Sequence, residues 1–328
     1  GLGGDVVTAS ITVTAVNDIP VLLVIGDQVT VEDSTITISL TATDVDIFTD
    51  GQNLTFSAIS FDSSLIIPST TSTGDSTGTL TLMIQSNQNG SAEIEVTVDD
   101  GNEGADEETF TLTVDPVNDT VTLLSAIDDY VVDEDSETTM VADLNDVFTD
   151  IDLTNGDPGS LQTLSFSIVD NTNPDLAIPS ISDGDSVLTV SYTADDNGTA
   201  TITIQADDGN GSTLNESFTV TVTAVNDTVT LLSAIDDYVV DEDSETTMVA
   251  DLNDVFTDID LTNGDPGSLQ TLSFSIVDNT NPDLAIPSIS DGDSVLTVSY
   301  TADDNGTATI TIQADDGNGS TLNESFTV

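Results

Sequence analysis

Along most of the chain apolar and polar residues alternate one by one. Thr79-Leu80-Thr81-Leu82, the run Glu93 to Val98, the run Thr199 to Ile204 and Phe218 to Val222 all repeat with a period of two. That period predicts strands with one buried face. Turn signals punctuate the runs at Asn89-Gly90, Asp100-Gly101, Asn197-Gly198 and Asp208-Gly209. Thr, Val and Ile dominate and helix formers at helical spacing are missing, so the pattern predicts an all-β fold. About seven short strands fit each repeating unit, the number of an antiparallel sandwich. The longest apolar runs, such as Val21 to Ile25, fall far short of the ~20 residues of a membrane helix, so no membrane span is expected in this segment. The opening Gly1-Leu2-Gly3-Gly4-Asp5 has no basic region, so any export signal is expected outside this chain.

The alternation is itself repeated on a longer scale. Residues 117–220 and 225–328 are identical at every position, which sets a period of 225 minus 117, or 108 residues. Asn17-Asp18, Asn118-Asp119 and Asn226-Asp227 mark the same point in three units. The expected organisation is a leading strand over 1–16, then domains at 17–117, 118–225 and 226–328. Within the leader, Ile11-Thr12-Val13-Thr14-Ala15 aligns with Val220-Thr221-Val222-Thr223-Ala224, so it reads as a final strand with no domain before it. The third unit stops at Val328, the equivalent of Val220, and lacks the counterparts of Thr221 to Ala224. Either the polypeptide continues through both ends, or the leading strand of one subunit completes the last domain of the next, a head-to-tail partnership of copies.

Composition narrows the chemistry. The 328 residues include 61 Asp and Glu but no Lys, Arg, His or Cys. Without a cationic side chain, binding to nucleic acid or to anionic lipid is unsupported. Without His or Cys there is no Ser-His or Cys-His nucleophile, no thiolate or imidazole zinc site and no disulfide framework. The carboxylates have no side-chain cation to pair with, so water, backbone N–H groups or bound metal ions must satisfy them. Hard divalent cations fit best: Ca2+ takes about 6 to 8 oxygen ligands in flexible geometry, which loops dense in Asp, Asn and carbonyls supply. The plainer reading is that Asp and Asn form turns and that an acidic surface keeps a secreted protein soluble. The loop Asp183-Gly184-Asp185 is of that surface kind. Phe48, Phe148 and Phe256, near the acidic loops, are expected to be core or loop plugs rather than a ligand platform.

Within the first unit, Val31-Glu32-Asp33-Ser34 is followed by Ala42-Thr43-Asp44-Val45-Asp46 and Leu54-Thr55-Phe56-Ser57. Then come Val96-Thr97-Val98-Asp99-Asp100-Gly101, the strand Thr109 to Val114 and Val117-Asn118-Asp119. In order and spacing this resembles the cadherin superfamily, most closely the cadherin-like tandem repeats of giant bacterial surface proteins. The resemblance covers almost the whole chain. It implies tandem Ig-like sandwiches with calcium ions held at each junction by the preceding domain, the linker and the following domain. Carried over by position, the first junction would use Glu32, Asn118, Asp119, Asp150, Asp152 and Asp207. The second would use Glu134, Asn226, Asp227, Asp258, Asp260 and Asp315. Asp44, Asp46 and Asp99, with Asn17 and Asp18, would face whatever precedes. The family linker's leading Asp is replaced here by Ala15, Pro116 or Ala224, and its trailing Asn by Ile19, Thr120 or Thr228. The lower acidic loop is Asp195-Asp196-Asn197 in the second unit but Asn87-Gln88-Asn89 in the first.

These readings predict a non-enzymatic, structural extracellular protein: a calcium-rigidified stalk or filament of a bacterial cell surface serving adhesion or biofilm matrix. Freedom from Lys and Arg suits an exposed protein, since trypsin-like proteases cleave after those residues. The alternative is an adhesin module that binds a carbohydrate or another cell surface, although aromatics are only 4% and Trp is 0, which leaves few stacking platforms. Glycoside hydrolysis by paired carboxylates is the remote third reading, since no unit shows a distinctive acid pair.

Overall fold

The computed structural model describes residues 3–328 except 50, 75, 155–161, 183–185, 263–269 and 291–293. Between Val21 and Asp115 the first repeat forms two four-stranded sheets. One has the strand order Gln28–Val31, Ala105–Asp115, Gly90–Asp99, Thr55–Ser60. The other runs Val21–Leu22, Thr35–Thr43, Thr77–Ile84, Ile66–Ser72. Their inward faces supply Leu40, Leu80 and Leu82 from one sheet and Ile94, Val96 and Leu112 from the other, all within one buried core with Phe56 and Phe110. Each large aliphatic side chain removed from water in this way contributes about 1.5–3 kcal/mol, which makes the alternating pattern the main determinant of the sandwich.

The structure departs from a purely antiparallel sandwich at the first strand. Val21–Leu22 pairs antiparallel with Ala42 and Thr43, and the chain then crosses to the other sheet, where Gln28–Val31 pairs parallel with Leu112–Asp115. The split strand raises the count from the expected seven to eight. The crossing satisfies backbone groups on an edge that would otherwise stay open. An aspartate pins it in each repeat: Asp27 accepts from the Thr111 N–H at 2.8 Å, Asp129 from Thr219 at 2.6 Å and Asp237 from Thr327 at 2.6 Å.

The chain divides into two compact units. The first comprises Gly1–Thr122, Thr149–Ser165 and Asp207–Leu214, and the second Leu123–Phe148, Phe166–Ala206 and Asn215–Val328. In the second repeat one sheet runs Tyr130–Asp133, Thr213–Thr223, Gly198–Asp207, Ser165–Asn171, and the other Thr139–Asp143, Val187–Tyr192, Ala177–Ile181. Tyr130 stacks on Phe218 with ring centroids 6.1 Å apart, and its hydroxyl lies 3.1 Å from that of Tyr192, which donates to Thr139 Oγ1. Tyr238, Phe326 and Tyr300 repeat the stack and the hydroxyl contact. Burial pushes the Tyr130 and Tyr238 hydroxyls well above the usual tyrosine range.

The third repeat has the same sequence over 225–328 but a smaller sheet. Thr309–Asp315 pairs with Ser273–Asn279 and Thr321–Thr327, and among the described residues nothing corresponds to the parallel strand Tyr130–Asp133. The Tyr238 N–H bonds the last strand at Thr327 O, beside the contact of Asp237 with the Thr327 N–H. In the second repeat Val131, Val132 and Asp133 pair with Thr221, Val222 and Thr223.

Two other expectations are corrected. Phe148 and Phe256 are each 1% exposed and pack on Phe166 and Phe274, but Phe48 is 92% exposed. Counting from the acidic motif, the position of Phe148 is held in the first repeat by the buried Ala42, whereas Phe48 lies after the motif in the short helix Asp46–Thr49. The alternating run Ile11–Ala15 is not a strand: residues 3–20 join no ladder and 3–19 are exposed. Alternation yields a strand only where a neighbour supplies the hydrogen bonds.

Candidate metal centre

Each acidic cluster is built from a turn, a linker and a short helix. Glu32 follows the parallel strand Gln28–Val31, is buried, and accepts the Val117 N–H at 2.6 Å, which ties the start of the linker to the base of the first repeat. Two residues on, the Asp119 N–H donates to Asp152 Oδ2 at 2.8 Å. Asp152 is held by a 3-10 turn, Ile151–Leu153, whose N-cap is Asp150: Asp150 Oδ1 accepts the Asp152 N–H at 3.0 Å. Carboxylate oxygens of Glu32, Asp119 and Asp152 thereby lie within 4.8 Å of one another. The second cluster repeats the arrangement. Glu134 accepts from Val225 at 2.6 Å, Asp227 donates to Asp260 at 2.9 Å, Asp258 caps Asp260 at 3.1 Å, and Glu134, Asp227 and Asp260 converge in the same way.

The linker asparagines hold the clusters in place rather than converge on them. Asn118 Nδ2 donates to Asp208 Oδ2 at 2.9 Å and to the Asp119 carbonyl at 2.7 Å, while its Oδ1 accepts from Gln162. Asn226 does the same with Asp316, Asp227 and Gln270. The residues anticipated at this point were Asp207 and Asp315. The structure brings in their neighbours Asp208 and Asp316, both buried, and in the first repeat Asp100, to which Asn17 donates at 2.8 Å. Asp99, Asp207 and Asp315 each accept an N–H from the glycine two residues on, so they shape the hairpin. Strand register carries the signal for this difference: Ile94, Val96 and Val98 are buried, and Asp100 continues their parity, as Asp208 continues that of Ile204 and Ala206. Close approach is needed as well, for a Cβ on Gly104 would lie 2.2 Å from Asp100 Oδ2.

A third group, Asp135, Asp195 and Asp227, converges beside the second cluster. Asp135 and Asp195 both adopt left-handed backbone, at φ 59° and 55°, which Asp tolerates better than most residues, and the Asp195 N–H donates to Asp135 Oδ1 at 3.0 Å. At the first cluster the same bond joins Asn87 to Asp33, so the amide of Asn87 stands where Asp195 brings a carboxylate. Ahead of the first repeat, Asp46 accepts from the Asp18 N–H at 2.8 Å and Asp44 from the Asp46 N–H at 2.7 Å; among the described residues no three-carboxylate group forms there. Asp183 and Asp185 lie outside the described residues.

Electrostatics and hydrogen bonding both fit a hard cation. Burial raises the carboxyls of Glu32, Asp119 and Asp150 above their usual range. Neighbouring negative charge adds to it, from Asp119, Asp152 and Asp33 at Glu32 and from Asp152, Asp33 and Asp150 at Asp119. Asp227 and Asp258 are raised likewise, by burial first. Burial also opposes ionisation of Asp208, but donation from Asn118, Asn210, Ser212 and Gly211 outweighs it and holds this carboxyl low. Asp150 and Asp258 are 1% and 2% exposed, and among the described residues the Oδ2 of each has no hydrogen-bond partner; neither have Asp44 Oδ2 and Asp119 Oδ2. A buried carboxylate oxygen without a donor is costly unless a cation meets it, and the chain has no Lys, Arg or His to do so. An all-oxygen donor set of this kind suits Ca2+.

Comparison with known proteins places the fold. Residues 17–113 match the family model described as Bacterial Ig domain. No curated protein matches the chain. Three-domain fragments of cadherin-23 are structurally similar: mouse EC22-24 at TM-score 0.50 and 17% identity, covering 95% of this chain and 98% of that one, and human EC21-23 at 0.53 and 14%, covering 95% and 100%. Protocadherin Gamma B2 extracellular cadherin domains 1-5 align at 0.54 and 17% identity, over 96% of this chain and 60% of that one. No helix among the described residues is long and apolar enough to cross a membrane. The chain has the fold of tandem Ig-like β-sandwiches seen in these cadherin fragments, and its first repeat matches the bacterial Ig domain family.

Proposed function

We propose that this chain is a structural, non-enzymatic segment of an extracellular bacterial surface protein, in which Ca2+ bound at the linkers stiffens successive repeats into a stalk or filament for adhesion or matrix. The domains are those expected at 17–117, 118–225 and 226–328. The observation that carries the reading is the unpartnered Oδ2 of Asp150 and of Asp258, each buried beside a convergent Glu-Asp-Asp group on a linker already tied down at both sides. Ca2+ would be held by Glu32, Asp119, Asp150 and Asp152, and by Glu134, Asp227, Asp258 and Asp260. Crosslinking of this kind removes linker freedom, so stiffness depends on the ion.

Calcium titration followed by calorimetry and by small-angle scattering tests the proposal. Binding at more than one site, with a longer and less variable maximum dimension than in chelator, is expected. Unchanged dimensions and melting in chelator would overturn it.

A further inference from the structure

We infer that the second and third repeats each bind an extended basic peptide, a segment that alternates cationic and apolar residues, along the free edge of one strand. In the second repeat Thr139–Asp143 ends its sheet, and among the described residues it pairs only with Val187–Tyr192. Its other edge faces the chain that crosses between the sheets. That chain bonds to the Val147 carbonyl through the Leu124 and Ser125 N–H groups, at 2.7 and 3.3 Å, and among the described residues no backbone bond joins 126–129 to the strand. The gap is a groove of about 560 Å3. Buried Ile127 and Val147 line it, together with Val131 and Met140, which are largely exposed. A free strand edge beside an apolar groove is what an added strand requires.

The sequence builds this groove by an insertion. In the first repeat the strand Thr35–Thr43 runs unbroken to the acidic motif at Asp44. In the second the strand stops at Asp143 and a turn follows. The Asn145 N–H donates to Asp143 Oδ1 at 3.0 Å, the Asp146 N–H to the Asp143 carbonyl at 3.0 Å, and the Phe148 N–H to the Leu144 carbonyl at 2.9 Å. The turn places Asp146 in the wall of the groove, and Asp128 lines it from the crossing chain. Counted from the aspartates that pin the crossing, Asp27 and Asp129, the first repeat has Gly26 where the second has Asp128.

Charge selects the occupant. Asp143 is already engaged by Ser186 and Asn145, but Asp128 and Asp146 are exposed, and among the described residues no donor meets either carboxylate. Lys and Arg answer both features, because their aliphatic stems cover apolar surface while the charged head reaches a carboxylate. A second copy supplies neither residue and brings a further charge of -61, which opposes docking. The third repeat has the same groove, of about 500 Å3, with Asp236 and Asp254 in its walls and Ile235, Met248 and Val255 beside them. Neither groove shares a residue with the linker clusters, so peptide and calcium binding are separable.

The test uses the full chain in millimolar calcium and ~0.15 M salt, where diffuse attraction is screened beyond about 8 Å. A fluorescent peptide of alternating Lys and Val is titrated and followed by anisotropy, and saturation at one peptide per groove is expected. The combined variant Asp128→Asn, Asp146→Asn, Asp236→Asn and Asp254→Asn should weaken binding by about tenfold, the worth of two exposed ion pairs in each groove. Removing the same charge from the first repeat, by Glu93→Gln, Glu103→Gln, Glu107→Gln and Glu108→Gln, should leave the affinity unchanged. All these side chains lie at the surface, so melting verifies that each variant folds. The same peptide N-methylated at alternate backbone amides keeps its charge but cannot join a strand, and it should lose most of its affinity. Absence of saturation, equal losses in the two variants or equal binding of the N-methylated peptide overturns the proposal. Self-association of the chain that the groove variant abolishes would give the edge to a second copy and overturn it as well.

Discussion

Asp150 and Asp258 do two jobs with two oxygens: Oδ1 caps a 3-10 turn and Oδ2 is left without a donor. Because burial and negative neighbours disfavour the charge, Asp150→Asn should have opposite effects under two conditions. Calcium affinity should fall by about tenfold or more, about 1.4 kcal/mol, while the chelated protein should melt at a higher temperature. The isosteric amide keeps the cap, and exposed Glu107→Gln serves as control. Equal melting shifts for the two variants would place Asp150 among ordinary surface acids. At this scale the order of the motifs anticipates that Glu32, Asp119 and Asp152 come together, but it does not separate Asp99 from Asp100 or Asp207 from Asp208. Adjacent aspartates look alike in a motif; only the parity of the buried strand positions separates them. Phe48 was misjudged for a related reason, since nearness to a motif does not say which side of it faces the core.

Strands were the most legible elements, because period two and the Asn-Gly and Asp-Gly turns are local signals. The sheet switch was not: its parallel pairing joins Gln28 to Leu112, and no short window of sequence reports a partner that distant. The two identical repeats supply an internal experiment on the same point. The segment Val131–Glu134 is laddered and Val239–Glu242 is open, although their sequences are the same. Hydrogen exchange of monomeric protein, read on the peptide common to both, should therefore give two isotope populations, one protected and one fast. A single envelope would mean that the parallel strand forms without its partner.

At the scale of the whole molecule, a formal charge of -61 without a single basic residue leaves stability in the hands of protons and metal ions. In the chelated protein, Glu32, Asp119, Asp150, Asp227 and Asp258 have folded-state carboxyls raised above ordinary values of 4.5 for Glu and 3.8 for Asp. A raised carboxyl favours the folded state when protonated, so its contribution is complete at low pH and is lost as pH rises through the folded-state value. Asp208 and Asp316, held low by hydrogen bonds, act in the other direction, and their contribution disappears only below about 3.8. Without calcium the melting temperature should thus fall as pH rises above the ordinary carboxyl values of 3.8 and 4.5. With millimolar calcium it should be several degrees higher at neutral pH, and the gain should shrink on acidification as protons displace the ion. Parallel pH curves in calcium and in chelator would contradict both trends.

The tyrosine pairs turn the repeat structure into an optical reporter. The protein has four tyrosines and no tryptophan, and all four sit in the two identical repeats as hydroxyl-to-hydroxyl pairs. Near-ultraviolet absorbance and emission are therefore blind to the first repeat and count the other two equally. A change confined to one of these repeats must therefore alter one pair while the other holds constant, so half of the spectrum serves as the reference for the other half.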